Sequence, residues 1–139
     1  MTVVCDTSAL MALVDASEAA HGQLVQLYER QPQAWVLPAA ILPEADYLVS
    51  EHLGGRVQRE LLGDLAAGRY TVAWGCDEDL SRAAAINARY PRLRLGWVDT
   101  MVMACAVRFH AKAIATLDLR HFGAVALPGQ PQLWPRDAG

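Results

Sequence analysis

Asp6, Glu44, Asp99 and Asp118 each occur where an apolar or helix-starting segment has no structural need of a charge. Asp6 closes the β-branched run TVVCD, and Asp118 closes IATLD, which begins near Ala113. Glu44 follows Ile41 by three residues and precedes Leu48 by four, so it shares a helical face with side chains that point at a core. Asp99 opens a helix directly after Gly96-Trp97-Val98. Each acid also has a purely structural reading. Asp6 and Asp118 suit strand-end turns, Asp99 suits a helix N-terminus, and Glu44 suits the solvated edge of an amphipathic helix. The set of four changes the weighing. Carboxylates brought to about 4 Å repel by roughly 1 kcal/mol per pair in water and about 4 kcal/mol at an intermediate dielectric. A divalent cation removes that penalty, and oxygen donors without a His or Cys cluster favour Mg²⁺ or Mn²⁺ over zinc.

Positioning these acids requires strands alternating with helices. The strand TVVCD leads into a helix through Ala9–Val14 that Thr7 or Ser8 can cap, and an amphipathic helix follows from Glu18 to Arg30. A second strand is expected at Ala34–Leu37. A third helix runs from near Pro38 to the Gly54-Gly55 break and a fourth over Val57–Ala67, followed by a strand at 70–74. Asp77 should cap a helix that reaches Arg89 before Pro91. Val98, Val102, Cys105 and Phe109 mark another helix, then Ala113–Leu117 reads as a strand and Gln132–Trp134 as a short last one. The alternation, with no hairpin signal, predicts an α/β domain layered around a parallel sheet. In such sheets the functional crevice lies beyond the carboxyl ends of the strands, where Asp6 and Asp118 are expected.

The 139 residues are expected to form a single domain, 1–139, with a tail from Pro128 that frays at its end. Hydrophobic residues make up 53%, yet no uninterrupted apolar run reaches the length of roughly 20 residues that a membrane span needs. MTVVCDTSAL lacks the basic start of a signal peptide, so no membrane association and a cytoplasmic location are the expectation. Cys5, Cys76 and Cys105 form no CxxC pair and are expected to be buried thiols. A net charge of −3 exerts no global pull on nucleic acid, so RNA or DNA contact would need a local basic patch and a metal to offset the carboxylates. Other chemistries lack their residues. DTSAL has no glycine for a phosphate-binding turn, and Ser8 stands where a haloacid-dehalogenase-type phosphatase would carry a second Asp.

DTSAL near the N-terminus, PEADYLV on the third helix, VDTMVMACA on a late helix and TLDLRHF after a late strand together resemble the PIN domain. More narrowly they are similar to the VapC-type toxins of bacterial toxin–antitoxin pairs, over Thr2 to about Phe122. The resemblance implies a PIN-like three-layer α/β/α domain with a central parallel sheet. It also implies a metal-dependent endoribonuclease in which Asp6, Glu44, Asp99 and Asp118 bind Mg²⁺ or Mn²⁺ and are the catalytic acids. Thr7, Ser8 and Thr116 match hydroxyl positions that orient carboxylates or water in relatives, although Ser8 serves equally as a helix cap. A homodimer and a small antitoxin that holds the toxin inactive are the implied partners. The helices bearing Leu24, Leu27, Leu48, Val49, Leu53, Leu61 and Leu62 could give that antitoxin an apolar groove, or could serve the core.

Two departures stand out. Thr100 follows Asp99 where many relatives carry Ala, and His121 stands where numerous relatives carry an acid, which leaves Asp118 as the fourth carboxylate. His121 is read first as a surface or packing residue, with phosphate contact or metal ligation as alternatives. Arg89, Arg92 and Arg94 before Asp99, and Arg120 after Asp118, are candidate RNA contacts through the bidentate guanidinium fork, though a solvated face explains them as well. Trp97 suits base stacking or packing. A rival reading keeps the fold as a binding module without turnover; retention of all four repelling acids opposes it.

Overall fold

The computed structural model describes residues 1–139. Five short strands, β1 (Val3–Cys5), β2 (Trp35–Pro38), β3 (Thr71–Ala73), β4 (Ala113–Ala115) and β5 (Gln132–Trp134), form one parallel sheet in the order β3-β2-β1-β4-β5. Every residue of β1, β2 and β4 is buried, so side chains on both pleat faces are covered and helices must pack on each side. Chain order moves outward from β1 to β2 and β3, then restarts on the other side with β4 and β5. The switch point therefore falls between β1 and β4, where a crevice opens beyond the strand ends.

The helices are α1 (Thr7–Val14), α2 (His21–Arg30), α3 (Leu42–Leu53), α4 (Gly55–Ala66), α5 (Asp77–Arg89), α6 (Gly96–Arg108) and the single turn α7 (Leu119–Phe122). α6 packs on β1, β2 and α5, and its buried stretch Val102–Ala106 joins Val3, Val4, Trp35 and Ile114 in one apolar core. α1 packs against α2 and α3, which carries Glu44 towards the end of β1. An ion pair to the buried Asp79 ties α5 to α6: the half-buried Arg108 donates from Nε to Asp79 Oδ1 at 2.8 Å.

Several boundaries differ from the sequence reading for local reasons. Asp6, rather than Thr7 or Ser8, caps α1, because its extended backbone turns the carboxylate back onto the Ala9 N–H at 2.9 Å. α2 starts at His21, since residues from Asp15 to Ala20 are taken up by turns in which Asp15 accepts from Ser17. Asp77 lies inside α5, with Cys76 at the cap position and exposed, so only Cys5 and Cys105 are buried thiols. The tail carries the short last strand expected at Gln132–Trp134: β5 pairs with β4, Leu133 and Trp134 are buried, and the Leu133 N–H donates to Asp137 at 2.8 Å. No helix is long and apolar enough to cross a membrane.

Candidate metal centre

Asp6 emerges from β1 buried, 5% exposed, with its carboxylate held by three donors. Oδ1 accepts from the Ala9 N–H and from Ser8 Oγ at 2.7 Å, and Oδ2 accepts from Thr116 Oγ1. The same hydroxyls reach across the switch point, because Ser8 Oγ accepts from the Leu117 N–H at 2.9 Å and Thr116 Oγ1 from the Asp118 N–H at 3.0 Å. The turn after β1 and the turn after β4 are thus stitched together through one carboxylate. Burial raises the Asp6 pKa, with the hydrogen bonds from Thr116, Ala9 and Ser8 opposing it and Asp118 adding to it.

Asp118 caps α7, accepting from the His121 N–H at 3.1 Å, while His121 Nδ1 lies 2.7 Å from its Oδ2. The same Nδ1 stands 3.9 Å from Oδ2 of Asp99 in the first turn of α6. Asp99 is reached through a turn in which Arg94 and Gly96 both take positive φ, 53° and 76°. Glycine adopts that geometry without strain. Burial first, and then the Asp118 charge, push the Asp99 carboxyl up to about 6; His121 opposes this, and Asp6 and Glu44 add to it. Glu44 is exposed in the first turn of α3 and faces the others across a cavity of about 240 Å³. Asp6, Thr7, Ser8, Glu44, Asp99 and Asp118 line it, with Met11, Leu48 and Val98 as its apolar wall.

The donor set suits a divalent cation. Four carboxylates from four separate elements meet in one cavity, and Thr7 Oγ1 beside them is buried without any hydrogen-bond partner. An orphaned hydroxyl at that place can serve a water or an oxyanion held in the cavity. Thr100, the departure next to Asp99, turns its hydroxyl onto its own helix, donating to Gly96 O at 2.8 Å, and stays out of the site.

Other sequence candidates fall elsewhere. Arg89, Arg92, Arg94 and Arg120 are exposed, form no ion pair with an acid, and do not line the acidic cavity. Arg89 and Arg92 border a neighbouring cleft of about 360 Å³ with Leu93 and Ala124. Trp97 is 56% exposed at the start of α6. Of the seven apolar residues offered for a groove, Leu24, Leu27, Val49 and Leu61 belong to the core, and Leu62 is exposed. Leu61 and Leu62 also line a groove between α3 and α4, with Leu42, Pro43, Ala45 and Leu65. His121, read first as a surface or packing residue with phosphate contact or metal ligation as alternatives, sits beside the Asp99 and Asp118 carboxylates. Its spacing of three from the cap residue Asp118 was the sequence signal.

The sequence over residues 3–127 matches the PIN domain. Over 123 residues the chain is 32% identical to Ribonuclease VapC26 of Mycobacterium tuberculosis (strain H37Rv), spanning 88% of this chain and 91% of that one. Its fold is similar to the Mycobacterium tuberculosis VapC20 toxin, described as cleaving the sarcin–ricin loop, with a TM-score of 0.79 at 19% identity over 94% of this chain and all of that one. The DNA-bound VapBC of Salmonella typhimurium gives a TM-score of 0.74 at 16% identity, with 96% of each chain covered. By the extent of that match and the identity to a VapC ribonuclease, the chain belongs to the PIN domain family, in its VapC branch.

Proposed function

We propose that this protein is a divalent-metal-dependent endoribonuclease, the toxin of a toxin–antitoxin pair, neutralised by a cognate antitoxin. The observation that carries the reading is the convergence of Asp6, Glu44, Asp99 and Asp118 on one small cavity at the sheet's switch point. Mg²⁺ or Mn²⁺ held there supplies Lewis-acid charge and a lowered water pKa for hydrolysis of a phosphodiester. The side chains do the rest. Asp6, fixed by Ser8 and Thr116, cannot swing away, and Asp99 and Asp118 complete a cradle whose negative charge demands a cation. Glu44, more exposed, lies on the open side where a water can be oriented or deprotonated. Thr7 Oγ1 can donate to a phosphate oxygen or to that water.

RNA backbone contacts fall to Arg89, Arg92, Arg94 and Arg120, whose guanidiniums are free of carboxylate partners, with Trp97 available for a base. The apolar groove between α3 and α4 fits an amphipathic antitoxin helix, and a homodimer is the working assembly. VapC20 is described as cleaving the sarcin–ricin loop, so an oligonucleotide of that loop is the first substrate to try. Cleavage that requires Mn²⁺ or Mg²⁺, stops with chelator and disappears in Asp99→Asn is the expected result. RNA cleavage that survives both chelator and Asp99→Asn would defeat the reading.

A further inference from the structure

His121 is placed as metal-binding imidazoles are placed. It lies on the single turn α7, one ligand atom from each of Asp99, Asp118 and His121 lies within 4.8 Å of the others, and its side chain is 24% exposed. Nδ1 is turned to the carboxylates, 2.7 Å from Asp118 Oδ2 and 3.9 Å from Asp99 Oδ2. A neutral imidazole with its proton on Nε2 presents Nδ1 as a lone pair, the form in which histidine ligates a metal. A lone pair beside two carboxylate oxygens is repelled unless a proton or a metal ion stands between them. Thr7 Oγ1, buried and unpartnered in the cavity that Asp99 and Asp118 also line, is an independent polar group that a ligand held by those carboxylates would satisfy.

We propose that His121 Nδ1 is a ligand of the divalent cation, giving the centre a mixed nitrogen and oxygen donor set that selects Mn²⁺ over Mg²⁺. This rests on the metal-dependent reading of the same cavity. Mg²⁺ prefers oxygen donors in strict octahedral geometry, whereas Mn²⁺ accepts imidazole readily. An aspartate at this position would give an all-oxygen site, so histidine here changes which ion the site prefers while leaving its acids in place.

The test reads metal binding rather than cleavage. The full chain, stripped of metal, is titrated calorimetrically with MnCl₂ and with MgCl₂, as wild type and as His121→Asp, and both proteins are checked for cooperative thermal unfolding in chelator. In parallel, pulsed electron paramagnetic resonance on the Mn²⁺-loaded proteins looks for nitrogen modulation. The expected result is nitrogen coupling in wild type that vanishes in His121→Asp, with the Mn²⁺-to-Mg²⁺ affinity ratio falling by about tenfold or more. Because the variant gains an oxygen donor, its Mg²⁺ affinity should hold or rise, which a merely misfolded protein would not show. Mn²⁺ binding without nitrogen coupling, or an unchanged ratio, overturns the proposal while leaving the metal centre standing. Flat titrations of wild type with both ions would overturn the metal reading itself.

Discussion

Replacing Asp99 with Asn should stabilise the metal-free protein while removing its response to metal. The structure holds this carboxyl at about 6 against an ordinary value of 3.8, burial and the Asp118 charge being the main causes. At 1.36 kcal/mol per pKa unit that difference is worth about 3 kcal/mol against the folded state once Asp99 is ionised. The figure already includes the opposing pull of His121, and the side chain is 26% exposed, so solvent screening leaves about 1–3 kcal/mol. Between pH 3.8 and 6 the folded chain keeps a proton that the unfolded chain has released, so stability falls as pH rises through that window and levels off above it. Asn cannot ionise. The advantage of Asp99→Asn over wild type should therefore be full at pH 7.5 and about a third as large at pH 4.5. Thermal unfolding in chelator reads this as a rise of about 3–9 °C at pH 7.5, at about 3 °C per kcal/mol for a domain of this size. Adding Mn²⁺ should invert the order, since an ion at a thousand times its Kd stabilises wild type by about 4.1 kcal/mol and the variant hardly at all. An Asp99→Asn protein less stable than wild type in chelator at pH 7.5 would refute the electrostatic account of this cavity.

Metal affinity should fall by roughly tenfold per pH unit below about 6, because protonation of Asp99 competes with the cation, and calorimetry from pH 5 to 8 checks this. Thr116→Val strips Asp6 Oδ2 and the Asp118 N–H of their shared partner, so urea denaturation should show a loss of about 2–3 kcal/mol; a loss below about 0.5 kcal/mol would mean the bridge is not holding the two turns. Arg108→Met leaves the buried Asp79 carboxylate unpaired and should destabilise by about 3 kcal/mol, with much of that recovered in the double variant Arg108→Met/Asp79→Leu. Trp134→Ala should lower stability by about 3 kcal/mol, because the indole packs near Trp35 at a centroid distance of 6.4 Å and closes the β5 edge; tolerance of the change would return the tail to the frayed state expected from its composition.

Strong local patterns carried the sequence reading. The apolar run ending in Asp6, the period of Val98, Val102, Cys105 and Phe109, and the run ending at Asp118 have lengths and spacings that neighbouring residues fix by themselves, and the structure has a strand, a helix and a strand there. Boundaries set by competing partners were not legible. Asp6 outcompeted Thr7 and Ser8 as the cap of α1 because Ser8 Oγ is drawn off to Asp6 and the Leu117 N–H, a partner 109 residues away. The short last strand Gln132–Trp134 was legible, but that it would pair with the edge of β4 was not.

Residue types and their order along the chain were enough to name four acids, a parallel α/β plan and a family, because hydrophobic period and strand-end carboxylates are written in neighbouring residues. Only the folded chain decided which groups share a cavity. It brought His121 between Asp99 and Asp118, kept the four arginines outside and left Thr7 Oγ1 without a partner. Those outcomes depend on directions and distances between segments up to about a hundred residues apart, and such distances are set by how α6, β1 and β4 pack at the switch point rather than by any local pattern.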